Sequence, residues 1–162
     1  NLLPKEEICE IANDNSNGQV VVSGKKTVIE TLNENLKKKK KKGILLTVSA
    51  PFHCSLMKPA AEKMREKINK IQFNKPLIDI VSNVTAKAEN DIINIKKLLI
   101  DQIFSTVRWR ESIIYMSNKG IKNFVEIGPG KALSGMVKRT IKGVNIFSIN
   151  SITDIKNLKN EL

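Results

Sequence analysis

The chain has 162 residues, 41% hydrophobic and 27% charged, a globular balance that excludes wholesale disorder and suffices for one domain's core. No apolar run reaches the roughly 20 residues of a membrane span, the opening residues show no signal-peptide pattern, and Cys9 and Cys54 make no metal-ligand spacing, so a cytoplasmic location is expected. The net charge of +12 raises nucleic acid as a partner, but 24 Lys against 4 Arg, beside 22 Ile, 17 Asn and 4% aromatics, reflects A/T-rich codons rather than a phosphate and base reader.

Pro4 to Glu10 reads as the first turns of a short helix, with proline at an N-terminal position and acids near the positive dipole end. Asn13 to Gln19 packs amides and a glycine into a connection between that helix and a strand. The strand runs from Gln19 to Ser23, a β-branched run bounded by Gly18 and Gly24. From Lys25 to about Lys40, Val28, Ile29, Leu32 and Leu36 recur at helical spacing. The lysines at 37–42 suit the negative end of that helix, and Gly43 stops it. Ile44 to Val48 reads as a further strand, after which Ser49 to His53 forms a loop.

Leu56 to Ile71 is amphipathic, with Met57, Ala60, Ala61, Met64 and Ile68 on one stripe. Leu77 to Val81 is a continuous apolar strand, followed by helices over Asp91 to Phe104 and near Glu111 to Asn118. Phe124 to Ile127 is a strand that Gly128-Pro129-Gly130 turns into a helix from Ala132 to Thr140. Val144 to Ile149 is the last strand, and the polar tail after Ser151 is expected to fray. Strands alternating with helices predict an α/β fold on a mainly parallel sheet, with helices on its faces.

His53 is the only histidine, so any imidazole chemistry belongs to it. A strand-end loop can present such a ring to a substrate, and a structural loop histidine is the alternative. Neighbours in an extended segment point to opposite sides, which argues against a Cys54–His53 dyad. The amides of Asn13, Asn15 and Gln19 can both donate and accept, as a reader of a pantetheine arm must, or they simply build a turn. Gly128-Pro129-Gly130-Lys131 could cradle an anion on backbone N–H groups, but it lacks the spacing of a phosphate-binding fingerprint and fits a structural turn better. Ser134 precedes Gly135, yet no G-x-S-x-G occurs in the chain.

Five stretches in order, Ala12 to Gly24, Val48 to Ala60, Val81 to Ala86, Gln102 to Trp109 and Val125 to Leu133, resemble the malonyl-CoA:acyl carrier protein transacylase family. The similarity runs from about Ile8 to Asn150. It implies a partial parallel-sheet acyltransferase domain, α/β-hydrolase-like, at 49-150, a truncated ferredoxin-like small subdomain at 1-48, and a polar tail at 151-162. Members of the family are nearly twice as long. The part without a counterpart here carries their serine nucleophile, the arginine that pairs with the malonyl carboxylate, and a glutamine near the oxyanion.

The resemblance therefore implies a carboxyl-terminal fragment that is inactive alone, with a separately encoded amino-terminal half as one source of completion. The alternative is a non-catalytic remnant, or a carrier-protein or basic-surface binding module. Position by position, His53 matches the catalytic histidine, and Gln102 the residue whose main-chain carbonyl holds the histidine N–H. Asn13, Asn15 and Gln19 match amides that contact pantetheine, while Asn17 stands where proline is usual. Phe52 resembles the malonyl-type version of its motif, a bulky ring that disfavours a 2-methyl branch. The implied partners are malonyl-CoA and the acyl carrier protein, with no metal or further cofactor, no specific nucleic acid and no membrane. Acyl carrier proteins are acidic, so Lys37 to Lys42 could form part of a docking face as well as reflect codon drift.

Overall fold

The computed structural model describes residues 7–158. Strands β1 (Cys9–Ser16) and β2 (Gln19–Gly24) form an antiparallel hairpin. Ser16 pairs with Gln19 across Asn17-Gly18, and Gly18 supplies the positive φ of 77° that a two-residue turn needs. Two irregularities in register, at 11–13 and 14–16, bend β1. At the other end Cys9 pairs with Gly24, where a Cβ would lie 2.1 Å from the Ile8 carbonyl oxygen, so only glycine permits the approach.

Two sequence expectations change here. Cys9 and Glu10, assigned to the end of a helix, lie in β1, and Pro4, Lys5 and Glu6 of that same stretch fall outside the described residues. Asn13 to Ser16 are strand residues rather than a helix-to-strand connection. Local cues for a helix start lost to non-local pairing, which satisfies the backbone of the whole segment at once.

Helix α1 (Lys26–Lys38) lies against the hairpin and buries Val28 and Leu32 against Cys9, with Val22, Ile29 and Leu36 packed around them. Ile44 to Val48 forms no strand. An apolar run becomes a strand only when a neighbour offers backbone partners, and Ile44, Leu45, Leu46 and Val48 instead lie exposed.

A turn of 3-10 helix (Ser55–Met57) leads into α2 (Lys58–Lys70), with Pro59 in its first turn. Strands β3 (Ile80–Val81) and β4 (Ala88–Glu89) make a short antiparallel pair. Only the last two residues of the expected 77–81 strand find a partner, because β4 is two residues long; Leu77 is 101% exposed.

Helix α3 (Ile92–Asp101) is capped by Asp91, whose carboxylate accepts from the Asn94 N–H at 2.8 Å. It packs on α2 through a core of Ala61, Ile68 and Ile100, lined by Phe73, Leu99, Ile103 and Phe104. Helix α4 (Trp109–Asn118) follows, then β5 (Asn123–Ile127), α5 (Ala132–Thr140), β6 (Asn145–Ile149) and α6 (Ile152–Leu158). Strands β5 and β6 pair in parallel with α5 as their crossover.

Among the described residues this is the only parallel pair of strands, and the strands form three two-stranded sheets. The expected mainly parallel sheet is thus represented by one pair, in a chain that is α/β. A single parallel bridge, Asn13 to Val107, ties the hairpin to the segment before α4. The tail expected to fray is helical through Leu158, because Ser151 and Asp154 form a reciprocal cap: the Ser151 N–H donates to Asp154 at 2.8 Å and the Asp154 N–H to Ser151 at 3.2 Å. No helix among the described residues is long and apolar enough to cross a membrane.

Candidate active site

The loop between Ser49 and Ser55 is suspended between two helix ends. The last carbonyls of a helix have no intrahelical partners. At the C-terminal end of α3 the Gln102 carbonyl accepts from the His53 ring at Nδ1 (2.8 Å), and the Ile103 carbonyl accepts from the His53 main-chain N–H at 3.3 Å. A carbonyl can only accept, so Nδ1 carries a proton, and in the neutral ring the lone pair is on Nε2. The α2–α3 core holds those carbonyls in place, since Ile100 and Ile103 belong to it.

His53 has φ of 60°, in the left-handed region. A non-glycine residue there costs about 1–3 kcal/mol and persists only where its surroundings over-determine it. Several bonds do so. Cys54, fully buried, turns its thiol to the Pro51 carbonyl at 3.2 Å, and the Phe52 N–H donates to the Ala50 carbonyl at 3.0 Å. With its thiol engaged there, Cys54 forms no dyad with His53. Both cysteines are free and buried, and burial, reinforced by Cys54 and Glu10, pushes the Cys9 thiol above its usual pKa.

Across the loop, β1 supplies Glu10. Its carboxylate accepts from the Ser55 N–H at 3.1 Å and from the Ser55 hydroxyl. The hairpin is fastened a second time by Asp14, which takes two bonds from Arg110 Nε (2.9 and 3.0 Å) and one from Nη2 (2.6 Å). Hydrogen bonding to Asp14 raises the Arg110 guanidinium further above its already high pKa. Val107 completes the seam, donating to Ala12 at 2.8 Å and accepting from the Asp14 N–H at 2.9 Å.

The other expected site residues fall around this frame. Phe52 is half-exposed beside His53. Asn13 and Asn15 lie on β1, Asn13 bridged to Val107. Gln19 opens β2 and accepts from Arg139 of α5 at 3.4 Å. The lysines at 37–42 are exposed at and beyond the end of α1. Sequence reading did not find Glu10 or Ser55; 45 residues separate them, and no local signal joins them.

The Gly128-Pro129-Gly130 loop is a structural turn. Its Gly128 and Gly130 N–H groups are taken by the Ile149 carbonyl (3.0 Å) and the Asn150 side chain (2.7 Å). The first N–H groups of α5 are held by Glu126, from Leu133 at 3.1 Å and Ser134 at 2.7 Å, and hydrogen bonding by Ser134, side chain and then main chain, keeps the Glu126 carboxyl below its usual pKa. An anion would find its donors already occupied. Among the described residues, no group of three or more His, Cys, Asp and Glu side chains could hold a metal.

The family model described as "Acyl transferase domain" matches residues 6–160. The chain is 39% identical over 147 residues to the malonyl CoA-acyl carrier protein transacylase of Haemophilus influenzae, covering 90% of this chain and 47% of that protein. Its fold superposes on the crystal structure of the acyl-carrier-protein-S-malonyltransferase of Bartonella henselae with a TM-score of 0.92 and 36% identity, over 99% of this chain and 51% of that one. A malonyl-transacylase in complex with its type II PKS acyl-carrier protein superposes with a TM-score of 0.89 and 34% identity, over 98% of this chain and 52% of that one. The chain therefore spans about half the length of the curated relatives it matches.

Proposed function

The chain belongs to the acyl transferase domain family, and on that premise we propose that it is the carboxyl-terminal part of a malonyl-CoA:acyl carrier protein transacylase. This part contributes the base and much of the pantetheine site to malonyl transfer from coenzyme A to the carrier-protein thiol in fatty acid biosynthesis. The observation that carries the reading is the His53 ring, held with Nδ1–H on the Gln102 carbonyl and with no hydrogen bond to Nε2 among the described residues.

In the proposed reaction Nε2 takes the proton of a serine hydroxyl as the oxygen attacks the malonyl thioester carbonyl. Collapse of the tetrahedral intermediate breaks the C–S bond, and the imidazolium returns the proton to the departing coenzyme A thiol. The second half mirrors the first: Nε2 takes the proton of the carrier-protein thiol, sulfur attacks the malonyl-serine ester, and the proton goes back to the serine oxygen. A neutral carbonyl behind Nδ1 orients the ring without the added basicity a carboxylate would confer, which suits a thiol as entering and leaving group. No metal or other cofactor enters the scheme.

The serine belongs to the part of the domain not represented in these residues, supplied by a longer polypeptide or a separately encoded half. In this reading Asn13, Asn15 and Gln19 line the pantetheine arm along the hairpin. Phe52 limits the acyl pocket; one extra methyl would be discriminated by about 1–3 kcal/mol. The hairpin with α1 belongs to a ferredoxin-like small subdomain at 1-48, and 49-150 to an α/β-hydrolase-like large one. The exposed lysines at 37–42 support a docking face for the acidic carrier protein.

The test is reconstitution. The 162-residue chain alone should show no malonyl transfer, and joining it to a serine-bearing half should restore turnover. In the reconstituted enzyme His53→Ala should lower transfer by about 10²–10⁴-fold, the usual worth of a positioned base. Unchanged transfer after that substitution would overturn the assignment of the base, and turnover by the chain alone would overturn the need for the missing serine.

A further inference from the structure

We propose that Glu10 is a positioning residue for His53, acting through Ser55; the inference rests on the reading of His53 as proton shuttle. The helical segment that begins at Ser55 needs an N-terminal cap, because its first N–H groups have no partners within the helix. Cys54 sits at the capping position but provides no side-chain bond, its thiol being turned to Pro51. Glu10 fills the role from another element, taking the Ser55 N–H on one carboxylate oxygen and the Ser55 hydroxyl on the other. A carboxylate also suits the positive end of a helix.

The consequence reaches His53 because only Cys54 lies between it and Ser55. His53 is in a left-handed conformation that its own preference disfavours. On the upstream side it is held by the Gln102 and Ile103 carbonyls, and on the downstream side by the Glu10–Ser55 clasp. With the clasp removed, the segment 54–57 is free to relax toward ordinary backbone angles. The ring then turns off the Gln102 carbonyl. The clasp also joins β1, which carries Asn13 and Asn15, to the loop that carries the base, so one carboxylate keeps the pantetheine wall and the proton shuttle in register.

The test uses the ring itself. His53 is the only histidine of the chain, so labelling this chain with 13C,15N-histidine and pairing it with an unlabelled serine-bearing half gives one ring system by NMR. The wild-type ring should be a single neutral tautomer protonated at Nδ1. In Glu10→Ala both tautomers should be populated, and kcat for transfer should fall about a hundredfold, as for a base displaced by about an ångström, with KM little changed. Glu10→Gln, which keeps an acceptor oxygen, should restore most of the single-tautomer signature; a purely structural role would move neither tautomer nor histidine pH profile.

A folded Glu10→Ala protein with the wild-type ring signature would overturn the proposal. Should that variant fail to fold, Ser55→Ala, which removes the hydroxyl arm of the clasp, decides, and a wild-type ring in it would overturn the proposal equally. A ring that responds in a protein with no malonyl transfer in any form would uphold the clasp while refuting the transacylase reading.

Discussion

The loop 49–55 and the two apolar stretches at 44–48 and 77–80 meet opposite fates within one chain. Around His53 the identified backbone and side-chain groups find partners: two helix ends, a strand carboxylate and a buried thiol converge on a few residues. The apolar stretches carry more hydrophobic side chains, yet Leu46, Val48, Leu77 and Ile78 face outward, as does Ile127 on β5, which is 81% exposed. The contrast teaches that geometry for holding an imidazole and surface for completing a core are separate properties. The His53 loop has the first, whereas the apolar stretches lie exposed, and the curated relatives that the chain matches are about twice as long.

The sharpest way to break the contrast is to damage the pinned region from beneath. Ile100 is 2% exposed in the core that sets the Gln102 and Ile103 carbonyls. Ile100→Ala should cost about 2–5 kcal/mol in stability measured by urea unfolding. It should also disturb the His53 ring signal, because the carbonyls that hold the ring move with the core. Loss of stability with an unaltered ring would show that the loop is held independently of α2–α3.

A smaller effect is expected from acid. The guanidinium of Arg108, hydrogen-bonded to Glu111, holds that carboxyl below its usual pKa, and the Ser134 bonds do the same for Glu126. A carboxyl depressed in the folded state is more readily protonated when unfolded. The stability it adds is therefore present above the ordinary range near about 4.3 and disappears as pH falls through the lowered folded values. Thermal unfolding followed from pH 7 into acid should show a decline that steepens below that range. The part due to Glu111 should shrink at high salt, since its ion pair with Arg108 is partly exposed, each side chain at 40%.

The smallest effect should come from the open face. Ile127→Lys is expected to change the stability of the chain by less than about 0.5 kcal/mol, as for an exposed position. The same substitution should abolish or strongly weaken reconstitution with a serine-bearing half if β5 is one of the faces that half covers. Equal reconstitution of the two forms, followed by size-exclusion chromatography, would show that the completing part sits elsewhere.

Much of the fold was legible from periodicity alone. Leu56 to Ile71 reads as a helix from its apolar stripe, and α2 spans Lys58–Lys70 of it; Ala132 to Thr140 reads as a helix after the Gly128-Pro129-Gly130 turn, and α5 spans it. Cys9-Glu10 and Ile44 to Val48 were not legible, for related reasons. A strand exists by virtue of its partner, and neither the pairing of Cys9 with Gly24 nor the want of a partner at 44–48 is written in local composition. The Ser151–Asp154 cap, by contrast, was present in the sequence as a serine followed three residues later by an acid, and makes helical a tail that its polarity suggested would fray.

The sequence by itself determined which chemistry this chain can carry: one imidazole, no nucleophile elbow, and an ordered set of motifs shared with a transacylase family. Only the tertiary structure decided how that imidazole is held, since the Gln102 carbonyl lies 49 residues away and the Glu10–Ser55 clasp joins residues 45 apart. Composition and local periodicity are sums over neighbours in the chain, whereas a proton's direction depends on which distant carbonyl the folded backbone brings within hydrogen-bond reach.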